Sequence, residues 1–141
     1  MSRIHRSALV PRPASLLYGL VNDVEGYPRL FDWCTDASVL ERSPGQVICR
    51  LGLRMGALRT AFTTRNLLQP DESIDMSLVE GPFSALAGRW AFKALGDDGC
   101  KVTLDLDFQT AGRFVGSALA SGFQSVADRM VGDFVRAAMA N

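Results

Sequence analysis

The sequence predicts an α+β domain in which a curved antiparallel sheet is closed by one long C-terminal helix. Two patterns carry this prediction. Apolar and polar residues alternate with a period of two between Asp36 and Phe108. From Arg113 to Ala140 the period changes to that of a helix. An antiparallel sheet with one apolar face needs a cover, and only that last helix is long enough to supply it.

Residues 3 to 10 read as a first strand, ended by Pro11 and Pro13. The run ASLLYGLVNDV then sets Leu16, Leu17, Leu20, Val21 and Val24 at helical spacing, and Gly26 stops it. Pro28 suits the first turn of a second short helix through Leu30, Phe31 and Trp33. Six meandering strands follow. Val47, Cys49, Leu51, Leu53 and Met55 share one parity; Gln46, Arg50 and Arg54 share the other. Gly56 marks a hairpin turn, after which Leu58, Thr60, Phe62 and Thr64 oppose Arg59, Ala61, Thr63 and Arg65. Pro70-Asp71-Glu72, Gly81-Pro82 and Gly96-Asp97-Asp98-Gly99 are the remaining turns. Ile74, Met76 and Leu78, and then Val102, Leu104, Leu106 and Phe108, continue the apolar face. On the last helix Leu119, Phe123, Val126, Ala127, Met130, Phe134 and Ala138 form one stripe.

At 141 residues the chain is expected to be one domain, residues 1–141, with a core that needs no disulfide or metal. Fifteen basic and fifteen acidic residues cancel, which argues against a general nucleic-acid coat and against DNA as a partner. Cys34, Cys49 and Cys100 are odd in number and never in CxxC spacing, so reduced thiols are expected. No apolar run reaches the length of a membrane span or signal peptide. The expectation is a soluble cytoplasmic protein.

Catalysis finds little support. His5 is the only histidine, so a multi-histidine metal site is excluded and any triad would depend on that one exposed or hydrogen-bonded residue. Cys34 follows Trp33 with no visible cation to lower its pKa. Asp105 and Asp107 share a face, but the one opposite Leu104, Leu106 and Phe108, and so read as surface charge. Glu80 shares the parity of Met76 and Leu78; either it turns inward and pairs with Arg65 or Arg89, or the strand has ended and it is wet.

Two surfaces remain. Inward positions mix bulky Phe62, Met76, Leu78, Phe83, Trp90, Phe92 and Phe108 with small Cys49 and Gly88, opposite Phe123, Met130 and Phe134 of the helix. Such a stripe is commonly plain core, but one helix across a strongly curved sheet rarely fills the concavity, so an internal pocket is expected. Trp90, Thr60, Thr64 or Tyr27 could offer hydrogen bonds there. The outward parity carries charge: no acidic residue lies between Arg42 and Pro70, and Arg50, Arg54, Arg59 and Arg65 fall on one outer patch of two neighbouring strands. Solvated strand charge is one account of them; contact with RNA phosphates or an anionic membrane surface is the other.

Taken together in order, LVNDVEGYPRLFDWC (20–34), TRNLL (64–68), MSLVEGPFSALAGRW followed by any residue and then Phe92 (76–92) and VADRMVGDFVRAA (126–138) resemble the helix-grip, START-like superfamily. More narrowly the chain resembles the coenzyme Q-binding protein family, whose bacterial members include ribosome association toxins. The resemblance implies a non-enzymatic protein that holds ubiquinone or a related isoprenoid lipid in its cavity and supports quinone function in respiration. It also implies membrane-surface contact, peripheral at the inner membrane, with Tyr27, Leu30, Phe31 and Trp33 as the cavity entrance or else as buried packing. The alternative it implies is docking on the large ribosomal subunit through the basic face, hindering subunit association.

Overall fold

The computed structural model describes residues 2–111 and 116–140. The elements are β1 (Ser2–Val10), α1 (Ala14–Asn22), a 3-10 turn (Val24–Gly26) and α2 (Tyr27–Leu30). Strands β2 (Cys34–Ser43), β3 (Gln46–Met55), β4 (Leu58–Gln69), β5 (Ser73–Glu80), β6 (Phe83–Ala94) and β7 (Cys100–Thr110) follow, then α3 (Gly116–Met139). The strands form one seven-stranded antiparallel sheet in the order β1-β7-β6-β5-β4-β3-β2. The first residues expected for the last helix, 113–115, lie outside the described ones.

Local chemistry explains the boundaries. Asp23 leaves helical geometry (φ −82°, ψ 69°), so α1 ends before Gly26 and the chain tightens into the 3-10 turn. The second short helix stops at Leu30 rather than continuing through Trp33. Phe31 is already extended, and the Trp33 carbonyl accepts the Arg54 N–H at 2.8 Å, so Trp33 is drawn towards the sheet. The β3–β4 hairpin closes over Gly56-Ala57, with Gly56 at φ 64°, a backbone angle that glycine adopts without strain.

Two aromatic clusters hold α3 in the concave face of the sheet. In the first, Phe123 of α3 meets Phe62, Phe83 and Phe108 edge-on, with ring centroids 5.9, 4.9 and 4.8 Å away. In the second, Phe134 of α3 meets Tyr27, Phe31 and Trp90 at 5.3, 4.7 and 5.2 Å. Each edge-to-face pair adds about 0.5–1.5 kcal/mol beyond the area it buries. Polar ties fix only the second half of the helix among the described residues. Asp128 accepts from Arg6 of β1 at 2.6 Å, and Asp133 accepts from the Trp33 indole at 2.8 Å.

Candidate functional site

A cavity of about 50 Å³ lies between the two aromatic clusters. Its α3 wall is Phe123, Met130 and Phe134; Val24 and Tyr27 close one side. The sheet contributes Phe62, Met76, Leu86, Trp90, Leu104 and Leu106, together with Leu51 and a polar group formed by Cys49, Thr64 and Asn66. Among the described residues no charged side chain lines it. The polar group is a closed relay: Thr64 Oγ donates to Asn66 Oδ1 at 2.9 Å, and Asn66 Nδ2 donates to Cys49 Sγ at 3.6 Å. An amide has two N–H donors, and this one has a single described partner, a sulfur, which is a weak acceptor.

The structure brings together Phe62, Met76, Trp90, Phe123, Met130 and Phe134 of the ten residues expected to line the cavity. Phe83, Phe92 and Phe108 are buried but pack beside it, Phe83 and Phe108 around Phe123 and Phe92 against Tyr18. Leu78 borders a shallow surface groove with Ser77 and Ala85, beyond the cavity, although it stands opposite Thr64 in the register. Thr60 does not line it either. Asn66 was not expected, although it shares the inward parity of Phe62 and Thr64.

The four expected entrance residues do not form an open rim. Phe31 and Trp33 are buried and stacked face to face at 4.9 Å, and the Trp33 indole is bonded to Asp133. Tyr27 is buried too, its hydroxyl donating to the Val21 carbonyl, and burial raises its pKa well above the usual value. Leu30 alone is exposed.

On the convex side, the register arranges charge in rows. One row runs Arg3, Asp107, Ala87, Ser77, Arg65 from β1 to β4; the next runs His5, Asp105, Arg89, Asp75, Leu67. In the β1, β5, β6 and β7 part of the sheet these charges neutralise one another. Arg3 pairs with Asp107 at 2.8 Å, His5 with Asp105, and Arg89 with Asp75 at 3.7 Å. Over β3 and β4 the balance fails. Arg50 approaches Asp36 at 3.5 Å, but Arg54, Arg59 and Arg65 have no ion-pair partner among the described residues. Glu80, at the end of β5, is exposed.

The thiols are not poised for chemistry. Burial, then the nearby Asp36 carboxylate, pushes the Cys34 pKa from 9.0 up to about 11. Burial likewise raises Cys49 and Cys100. Among the described residues no group of three metal-ligating side chains comes together. No described helix is long and apolar enough to cross a membrane.

A concave antiparallel sheet gripping a long C-terminal helix, with a cavity between them, defines a helix-grip, START-like protein. Two solved structures share this architecture. An aromatase/cyclase from Streptomyces sp. R1128 superposes with a TM-score of 0.87 at 19% identity, covering 98% of this chain and 93% of its own. A START superfamily protein from Mycobacterium smegmatis does so with 0.81 at 19%, covering 97% of each. At such identities they establish the fold alone. Sequence relatives are closer. The ribosome association toxin RatA of Pseudomonas aeruginosa is 47% identical over 137 residues, 97% of this chain and 95% of the relative. The persistence and stress-resistance toxin PasT of Escherichia coli O6:H1 is 41% identical over 134 residues, 95% of this chain and 85% of the relative. Residues 10–135 match the family described as polyketide cyclase/dehydrase and lipid transport, and the chain belongs to that family, in the branch that holds RatA and PasT.

Proposed function

We propose that this chain is a non-catalytic, single-domain binder that docks on the large ribosomal subunit through Arg54, Arg59 and Arg65 and hinders subunit association. The single observation that carries this is the group of arginines on β3 and β4 without ion-pair partners among the described residues, beside the paired charges Arg3–Asp107 and Arg89–Asp75. The 47% identity to a protein named for ribosome association supports it. Guanidiniums suit the role, since each can give two parallel hydrogen bonds to one phosphate. Such docking belongs in the cytoplasm. The test is co-sedimentation with purified large subunits at low salt, followed by light scattering of subunit joining. The wild type should pellet with the subunit and slow joining; the Arg54→Glu/Arg59→Glu variant should do neither. Equal pelleting by both proteins rejects the arginine face as the dock.

A second role for the interior rests on the buried Asn66 amide. An apolar cavity without charge, but with an N–H bonded only to sulfur, suits a neutral lipid carrying a carbonyl, such as an isoprenoid quinone. Loading with such a lipid requires a visit to the inner-membrane surface, where exposed Leu30 is a candidate contact. Mass spectrometry of solvent extracts from protein purified out of a quinone-producing host tests this. Near-stoichiometric quinone, lost in a folded Asn66→Leu variant, is the expected result; extracts without quinone reject it.

A further inference from the structure

The cavity and the arginine face meet at one helix. About 50 Å³ holds no more than a few water molecules, whereas an apolar cavity known to take up benzene measures about 150 Å³. Any larger guest must displace a wall. The sheet wall is held by a backbone hydrogen-bonded ladder that slips register at Thr63/Thr64, whereas the opposite wall is α3, held by side chains. Within α3 the described polar ties begin at Asp128. Among the described residues the turns before it rest on apolar packing, through Phe123 in the first aromatic cluster and through Gly122. A Cβ on Gly122 would lie 2.9 Å from Met55 Cβ, so the helix backbone is pressed directly on the β3–β4 hairpin. Met55 adjoins Arg54, and Arg59 stands opposite Arg54 in the register.

We infer that the two sites are linked: an apolar guest that enlarges the cavity lifts the first half of α3 off Met55 and weakens docking of phosphates on Arg54 and Arg59. Arg54 keeps its backbone bond to Trp33, which Asp133 in turn holds. The hairpin tip loses its backing, so the two arginines, still paired across the ladder, no longer present their guanidiniums at a fixed angle to the rest of the face. This inference rests on the docking role proposed above and adds its regulation. Linkage is reciprocal, so docked RNA must weaken uptake of the guest by the same factor.

The test uses a short-tailed ubiquinone, uncharged and therefore blind to the arginines, with binding followed by quenching of tryptophan fluorescence. At saturation it should lower the affinity of the wild type for large ribosomal subunits about fivefold or more. In the Gly122→Cys/Met55→Cys variant, oxidised glutathione should staple helix to hairpin. The Cβ positions need to move apart by about 1 Å to reach disulfide geometry, and the native thiols are buried. The stapled protein should neither take up the quinone nor lose affinity, and dithiothreitol should restore both responses. Quinone uptake by the stapled protein, wild-type affinity unchanged at saturation, or no quinone binding by the wild type each overturns the linkage. Should the unloaded wild type fail to bind subunits, the docking role falls separately. Hydrogen exchange at the amides of residues 55–58 then decides the linkage, faster exchange with quinone supporting it and unchanged exchange overturning it; the same readout serves if the variant does not fold.

Discussion

Arg54 and Arg59 stand directly opposite one another across the β3–β4 register, two like charges at facing positions on the convex side of the sheet. Facing like charges destabilise a strand pair, and no described carboxylate lies close enough to offset these two. The arrangement is unfavourable for the isolated fold and favourable for a polyanion.

Stability and docking should therefore move in opposite directions at this site. Arg59→Glu converts a repulsive pair into an attractive one and should stabilise the protein by about 0.2–1 kcal/mol. The same change should remove binding to large ribosomal subunits. Urea denaturation and co-sedimentation of the same preparation check both halves.

The Trp33 indole donates to Asp133, whose carboxylate also accepts from Arg136. Asp133→Ala leaves a buried N–H without an acceptor, at a cost of about 1–3 kcal/mol. Asp133→Asn keeps an acceptor and should cost less. The ordering of the two denaturation midpoints is the readout.

Leu106 is buried in the cavity wall, and its methyl group would lie 2.7 Å from a Cβ placed on Gly88. Leu106→Ala should cost about 2–5 kcal/mol and enlarge the cavity. Short-tailed quinone should then bind more tightly, because less wall must move. Tryptophan quenching and thermal denaturation measure the two effects.

Alkaline pH should weaken the fold. The Cys34 pKa rises on folding from 9.0 to about 11, so the native state keeps a proton that the unfolded state loses. That stabilisation is complete below pH 9, declines above it and is gone once pH passes about 11. Cys49, Cys100 and Tyr27 shift in the same direction. Urea midpoints between pH 8 and 11 should fall, and Cys34→Ala should flatten part of that fall.

Strand parity made much of the fold legible, because alternation decides which face a residue occupies. It placed Arg54, Arg59 and Arg65 together on the outside and Phe62, Met76 and Trp90 on the inside. Parity carries no information about depth along a strand, so Phe83, Phe92 and Phe108 looked equivalent to cavity residues although they pack beside the cavity. Leu78 stands opposite Thr64 in the register yet lies beyond the cavity, and nothing in the local sequence marks that limit. An apolar Phe31 and an amphipathic Trp33 both suit a rim; their tertiary packing on one another and the Trp33 bond to Asp133 place them in the interior. Asn66 was open to detection as a polar residue at an inward position. The Asp36–Arg50 contact depends on the register of β2 against β3, with its two bulges, which alternation does not specify.

The most direct test of the account is the salt dependence of binding to large ribosomal subunits, for the wild type and for Arg54→Glu/Arg59→Glu/Arg65→Glu. Phosphate contacts release counterions, so the logarithm of the wild-type affinity should fall steeply with the logarithm of salt concentration. In the triple variant binding should weaken and the slope should lessen by about one for each phosphate contact removed. Equal affinities with parallel slopes would contradict the arginine face as the ribosomal dock.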